Sequence, residues 1–145
     1  MSKLFQNLEK FKNKIALIDP KEKEYSYNKI LTIGKDIKTK VKNKSLILII
    51  ASNNVESIIG YVAFMRSNNV SILLDENFKF EYIKKIIKKY KPNYIFGPNK
   101  YFDKMSDVNE ILSLHNYNLI KTNYKTHKKI NNKNLLLLTT SGTTQ

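Results

Sequence analysis

The sequence predicts an α/β fold, an open and mostly parallel sheet with helices on both faces. Three observations carry this. Leu46-Ile47-Leu48-Ile49-Ile50 has no polar interruption, the pattern of a strand covered on both faces. Val70-Ser71-Ile72-Leu73-Leu74 and Tyr94-Ile95-Phe96 are further apolar runs, and a segment of helical periodicity separates each run from the next. Strands joined through helices by short links run parallel and cross over right-handedly.

Taken in order, residues 3–11 predict a short helix, with Ser2 as N-cap and Leu4, Leu8 and Phe11 at helical spacing. Ile15–Ile18 reads as a strand that turns at Asp19-Pro20-Lys21 and returns through Glu24–Tyr27 as a hairpin. Residues 28–42 place Ile30, Ile33, Ile37 and Val41 on one face of an amphipathic helix that tolerates Gly34. After the first buried strand, Asn53 precedes Glu56 at capping-box spacing. A helix over 54–67 then directs Val55, Ile58, Ile59, Val62 and Met65 to the core, and Asn68-Asn69 supplies a left-handed cap. Another helix spans 79–90, ahead of Pro92. Residues 101–114 predict a short helix, Tyr117–Lys121 a strand, Thr126–Asn134 a polar loop and Leu135–Leu138 a final strand. With no internal repeat and no interior boundary, residues 1–145 read as a single domain.

A chain of 145 residues can bury about 70% of its unfolded surface, enough for a real core. No stretch approaches the roughly 20 apolar residues that span a bilayer, and the N-terminus lacks the apolar core of a signal peptide. Cysteine is absent, which excludes disulfides, thiol catalysis and thiolate metal sites. A cytoplasmic location and no membrane partner are the expectation. The net charge of +14 raises the question of nucleic acid. Yet Arg66 is the one arginine, and the lysines are scattered apart from Lys84-Lys85 and Lys88-Lys89. Base and phosphate recognition favours the planar arginine fork, so the sequence reads as a solvated lysine surface with salt-sensitive, non-specific attraction to polyanions.

Several residue groups resemble sites without making one. His115 and His127 are twelve positions apart with no acidic partner at ligand spacing. Asp103, Asp107 and Glu110 fall at helical spacing and read as a solvated helix face. Tyr82, Tyr90, Tyr94 and Tyr101 lie among lysines as in a base-stacking surface, but Tyr94 is expected to pack into the sheet. No catalytic residue and no metal ligand is assigned.

The end of the sequence is more informative. Leu135-Leu136-Leu137-Leu138 runs straight into Thr139-Thr140-Ser141-Gly142-Thr143-Thr144-Gln145. Such a loop can turn tightly and offer backbone N–H groups and hydroxyls to a phosphate. It is not a Walker A loop, since no G-x-x-x-x-G-K-[ST] occurs. It resembles the start of the phosphate-loop signature of the AMP-forming adenylating enzymes, T-S-G-T-T-G-x-P-K. Thr140 to Thr144 match that motif in order, and Gln145 stands where the family has Gly. Upstream, Leu48–Asn53 resembles the family's strand-to-Asn element, and Val70–Asp75 its V-x-V-P-L-D strand end. Leu73 replaces the usual proline there, and Asn68 the usual glycine.

The resemblance implies the N-terminal portion of an ATP- and magnesium-dependent ligase. Such an enzyme joins a carboxylate to AMP and then passes the acyl group to coenzyme A or a carrier-protein thiol. It further implies that Thr140, Ser141, Gly142, Thr143 and Thr144 hold the β- and γ-phosphates of ATP. The loop lysine, magnesium ligand, adenine contacts, acyl pocket and lid of such enzymes have no counterpart in the 145 residues. The chain alone is therefore expected to be inactive and to self-associate through its last strand. The competing expectation is a non-catalytic protein, either a truncated remnant or a small basic polyanion-binding module.

Overall fold

The computed structural model describes residues 5–125 and 136–138. Strands β1 (Ile15–Ile18) and β2 (Glu24–Ser26) form an antiparallel hairpin. Its turn is set by Asp19, whose Oδ1 accepts from the backbone N–H of Lys21 at 2.8 Å and of Lys23 at 2.9 Å. Helix α1 (Tyr27–Thr39) starts where the Ser26 side chain accepts from the Lys29 N–H. Then follow β3 (Leu46–Ala51), α2 (Val55–Met65), β4 (Val70–Asp75), α3 (Phe80–Tyr90), β5 (Tyr94–Pro98) and α4 (Asn99–Phe102). Strands β6 (Asn109–Leu114), β7 (Tyr117–Lys121) and β8 (Leu136–Leu138) complete the described elements.

The main sheet has six strands in the order β6-β7-β5-β3-β4-β8. β3 pairs in parallel with β4 and β5, and β4 in parallel with β8. β7 runs antiparallel to β5 and β6. Alternation along β3 divides the core into two layers. Ile47 and Ile49 pack with Ile37 of α1 and Ile59, Ala63 and Phe64 of α2. Leu48 and Ile50 pack with Ile83 and Ile86 of α3 and with Tyr101 and Phe102 of α4. The helices thus cover both faces, as the uninterrupted apolar run in β3 requires. α2 lies so close to the sheet that a Cβ on Gly60 would sit 2.1 Å from the Phe96 ring.

Four local expectations are corrected. The opening helix reduces to one 3₁₀ turn at Leu8–Phe11, because Asn7 ahead of it adopts φ 63° and the turn buries no residue; Ser2 and Leu4 lie outside the described residues. The α2 cap is Asn54, whose side chain accepts from the Ser57 N–H at 2.9 Å, and Ile58 is exposed rather than core. Asn68 and Asn69 make no left-handed cap. Asn69 is instead buried, accepting from the Ser45 N–H and donating to Ser67 Oγ. Residues 101–114 hold the end of a single helical turn and then β6, since Asn109–Leu114 gains an antiparallel partner in β7, with an irregularity between Glu110 and Leu112. The predicted loop 126–134 lies outside the described residues.

Candidate functional site at the carboxyl edge of the sheet

From β3 the chain moves to β4 on one side, then crosses back to β5 on the other. Connections therefore diverge at β3, and in open α/β sheets ligands bind beyond the carboxyl ends of the strands at such a point. What lies at this edge is polar. Ser52, just after β3, has its hydroxyl 2.5 Å from the Tyr117 hydroxyl, which also donates to the Ile50 carbonyl. Asn54 Nδ2 donates to Ser52 Oγ at 2.8 Å, and the Ser52 N–H reaches Ser57 Oγ. Burial pushes the Tyr117 hydroxyl above its ordinary range, and its bond to Ser52 opposes the shift. Beside them His115 Nδ1 lies 2.7 Å from Glu56 Oε1, the carboxylate mostly buried and the imidazole half exposed.

The end of β4 is equally polar. Asp75 Oδ1 accepts from both the backbone N–H and the side-chain amide of Asn77. Glu76 pairs with Lys100 at 3.1 Å, and that hydrogen bond raises the Lys100 ammonium above its usual range. The Tyr101 hydroxyl donates to the Glu76 carbonyl, and burial pushes the phenol up. Between these groups is a cleft of about 690 Å³, lined by Ser52, Asn53, Asp75, Glu76, Asn77 and Leu138 among others. Its volume falls within the range of small-molecule sites, roughly 300–1,000 Å³. A larger cavity of about 810 Å³ lies over α1 and α2. There Arg66 is engaged by Glu9 and by the Phe5 carbonyl, on the side of the fold away from the strand ends. The carboxyl-edge cleft is the better candidate because it lies beyond the carboxyl ends of β3, β4 and β8 and is lined by polar side chains.

Leu138, which lines this cleft, is the last described residue of β8. In the sequence it leads directly to Thr140, Ser141, Gly142, Thr143 and Thr144, which lie outside the described residues. Asp103, Asp107 and Glu110 do not share a helix face. They fall respectively at the α4 C-cap, in a turn with φ 55°, and in β6, where Glu110 accepts from the Asn118 amide. Tyr94 packs into the sheet as expected, and Tyr101 is buried as well. His115 has an acidic partner after all, in Glu56; His127 lies outside the described residues. The Ser52–Tyr117 and Glu56–His115 contacts join positions 65 and 59 apart in the chain. Only the antiparallel return of β7 beside β5 creates them, so no local pattern announces them. Among the described residues no group of three or more His, Cys, Asp or Glu could hold a metal ion, and the cleft carboxylates are not assigned one.

No family model and no curated protein matches the sequence. Solved structures do. O-succinylbenzoate coenzyme A synthetase (MenE) from Bacillus subtilis, in complex with AMP, matches over 90% of this chain and 36% of its own, with a TM-score of 0.59 and 14% identity. The fold is one shared with AMP-forming adenylating enzymes. MatB from Rhodopseudomonas palustris matches over 64% of this chain and 20% of its own, with a TM-score of 0.56 and 14% identity. The luciferase-like enzyme of the nonluminescent mealworm Zophobas morio matches over 66% and 24%, with a TM-score of 0.55 and 17% identity. The chain thus spans roughly a fifth to a third of these enzymes. Among its described residues no helix is long and apolar enough to cross a membrane.

Proposed function

We propose that the chain is the N-terminal portion of an ATP- and magnesium-dependent, carboxylate-activating ligase of the cytoplasm. In that reaction a substrate carboxylate attacks the α-phosphorus of ATP, pyrophosphate leaves, and the acyl-adenylate is passed to coenzyme A or a carrier-protein thiol. The observation that carries the reading is the position of β8. It lies parallel to β4, and its carboxyl end lines the cleft beyond the carboxyl ends of β3 and β4. The sequence following Leu138 is Thr139-Thr140-Ser141-Gly142-Thr143-Thr144, the residue types that hold phosphates through N–H and hydroxyl donors. In this reading Thr140 to Thr144 stabilise phosphate charge, and none of them forms a covalent bond. The reading treats residues 1–145 as one domain and assigns no magnesium ligand within them. Leu137 and Leu138 are exposed on β8, and in this reading that edge also drives self-association.

One set of experiments on the 145-residue chain tests this. Calorimetry should detect weak binding of magnesium-ATP that disappears in Gly142→Ala, with no ATP–pyrophosphate exchange over a panel of acids. Binding unchanged by Gly142→Ala, or no binding at millimolar nucleotide, would overturn the phosphate-loop assignment. Exchange by the chain alone would overturn its proposed inactivity. A sharp monomer peak in size exclusion at high concentration would overturn the self-association.

A further inference from the structure

Charge is not spread evenly over the molecule. Residues 15–39 carry five lysines against four carboxylates, whereas residues 79–91 carry six lysines against the single Glu81. The second segment is α3 with its two flanking residues. Ile83 and Ile86 bury its inner face against the sheet. Lys84, Lys85, Lys88 and Lys89 are all exposed on the outer side, with Lys79 and Lys91 exposed at the two ends. This arrangement follows from helical geometry. Positions 84, 85, 88 and 89 fall on the side of the helix opposite the buried positions 83 and 86 and form two adjacent rows along a helix about 16 Å long. Lys84 pairs with Glu81 at 2.8 Å, but both side chains are largely in water, where such a pair is weak and screened. Tyr82 and Tyr90 lie half-buried on the same helix and pack against the core with Ile83 and Ile86, so the outer face is left to the lysines.

We propose that the outer face of α3 docks against an anionic lipid bilayer surface, electrostatically and without insertion. The apolar stripe of α3 is already committed to the core, so only its charge is available to a partner. Lysine is a compact, mobile point charge suited to a fluid layer of headgroups, whereas fixed nucleic-acid phosphates and base edges favour the arginine fork. The chain's one arginine, Arg66, is engaged at the end of α2 by Glu9. Tyr94 and Tyr101, which would have extended a base-stacking surface, are buried in the fold. The sequence expectation of no membrane partner rested on the lack of a span; a basic helix face makes a different kind of contact, one that needs no insertion.

Co-sedimentation of the 145-residue chain with vesicles tests the proposal. One set is phosphatidylcholine alone, and the other is phosphatidylcholine mixed with phosphatidylserine. The chain should bind only the second set, and binding should fall as salt rises. The variant Lys84→Gln/Lys85→Gln/Lys88→Gln/Lys89→Gln should bind at least about tenfold more weakly. Lys21→Gln/Lys23→Gln/Lys29→Gln/Lys35→Gln removes the same charge from exposed positions elsewhere and should stay within about twofold of the parent chain. Circular dichroism confirms that both variants are folded. Equal losses in the two variants would show a diffuse charge effect and overturn the assignment to α3. So would no sedimentation at low salt, or tighter binding to an RNA or DNA oligonucleotide than to the vesicles at the same salt.

Discussion

The two edges of the central sheet are both lined with polar side chains, yet they are built for different purposes. At the amino edge the polar groups are sealed. Asn69 accepts from the Ser45 N–H at 2.9 Å, and Asn93 accepts from the Leu46 N–H at 2.8 Å, so two buried asparagines tie the starts of β4 and β5 to β3. Ser45, Asn69 and Asn93 are each less than a tenth exposed. At the carboxyl edge Ser52, Asn53, Asp75, Glu76 and Asn77 border an open cleft. The first arrangement fixes strand positions, and the second leaves donors and carboxylates facing a space that a ligand can fill. Burial rather than polarity separates the sealed edge from the open one, because an unpaired polar group is costly only where water cannot reach it.

The strongest way to break this comparison is at the amino edge. Asn93→Ala removes the acceptor of a buried backbone N–H, and its N–H partner has no water to turn to. The expected loss is about 2–3 kcal/mol of stability. Urea denaturation measures it, and a loss below about 0.5 kcal/mol would mean that the amino edge is not sealed. Asn69→Ala should behave in the same way for Ser45, while neither substitution should alter the carboxyl-edge cleft.

At the carboxyl edge, Tyr117→Phe keeps the ring packed on Phe96, with centroids 5.1 Å apart in the parent, and deletes only the hydroxyl. Ser52 retains Asn54 as a partner, so the expected loss is about 1 kcal/mol, less than at Asn93. The same hydroxyl has a pH signature. Its folded pKa is raised by burial, so the stability it contributes is complete below the unfolded tyrosine value of about 10 and is lost as pH rises through the folded value. Tyr101, raised for the same reason, acts in the same direction. Alkaline denaturation of Tyr117→Phe should therefore be shallower than that of the parent as pH rises above about 10. Parallel curves would show that the hydroxyl is solvated and the site more open than the structure describes.

The division between the edges also explains what the sequence made legible. Strands β3, β4 and β5 and the helices α1, α2 and α3 were readable because each declares itself locally: largely apolar runs for the strands, and a 3.6-residue period for the helices. β6 was not. Asp103, Asp107 and Glu110 happen to fall at helical spacing, and Asn109–Leu114 has no regular alternation to mark a strand, because its pairing with β7 is irregular between Glu110 and Leu112. The turn between the two strands is His115-Asn116, with no glycine to mark a hairpin, although His115 takes φ 52°. The asparagines misled in an instructive way. Asn69 was read as a left-handed cap because asparagine tolerates positive φ, but its side chain was needed for a bond to another strand. Thr140–Thr144 match a motif in the sequence and lie outside the described residues, whereas the Ser52–Tyr117 and Glu56–His115 contacts depend on strand order.

The smallest expected effect sharpens the comparison furthest, because at His115 two opposing terms meet. The imidazole, at the hairpin turn, gains a hydrogen bond to Glu56 in the first turn of α2, with the histidine half exposed. Its backbone sits in the left-handed region, which costs a non-glycine residue roughly 1 kcal/mol. His115→Ala loses the bond and keeps the strain, so about 1 kcal/mol of destabilisation is expected. His115→Gly loses the same bond but relieves the strain, and the greater freedom of glycine in the unfolded chain cancels only part of that relief. The glycine variant should therefore be the more stable of the two by about 0.5 kcal/mol. Denaturation of the pair alongside Glu56→Gln, which keeps an acceptor but removes the charge, separates the terms. Equal stability of the alanine and glycine variants would place the turn outside the left-handed region. A loss above about 2 kcal/mol in Glu56→Gln would mean that this exposed contact behaves like the buried amino edge, and the contrast drawn between the two edges would fail.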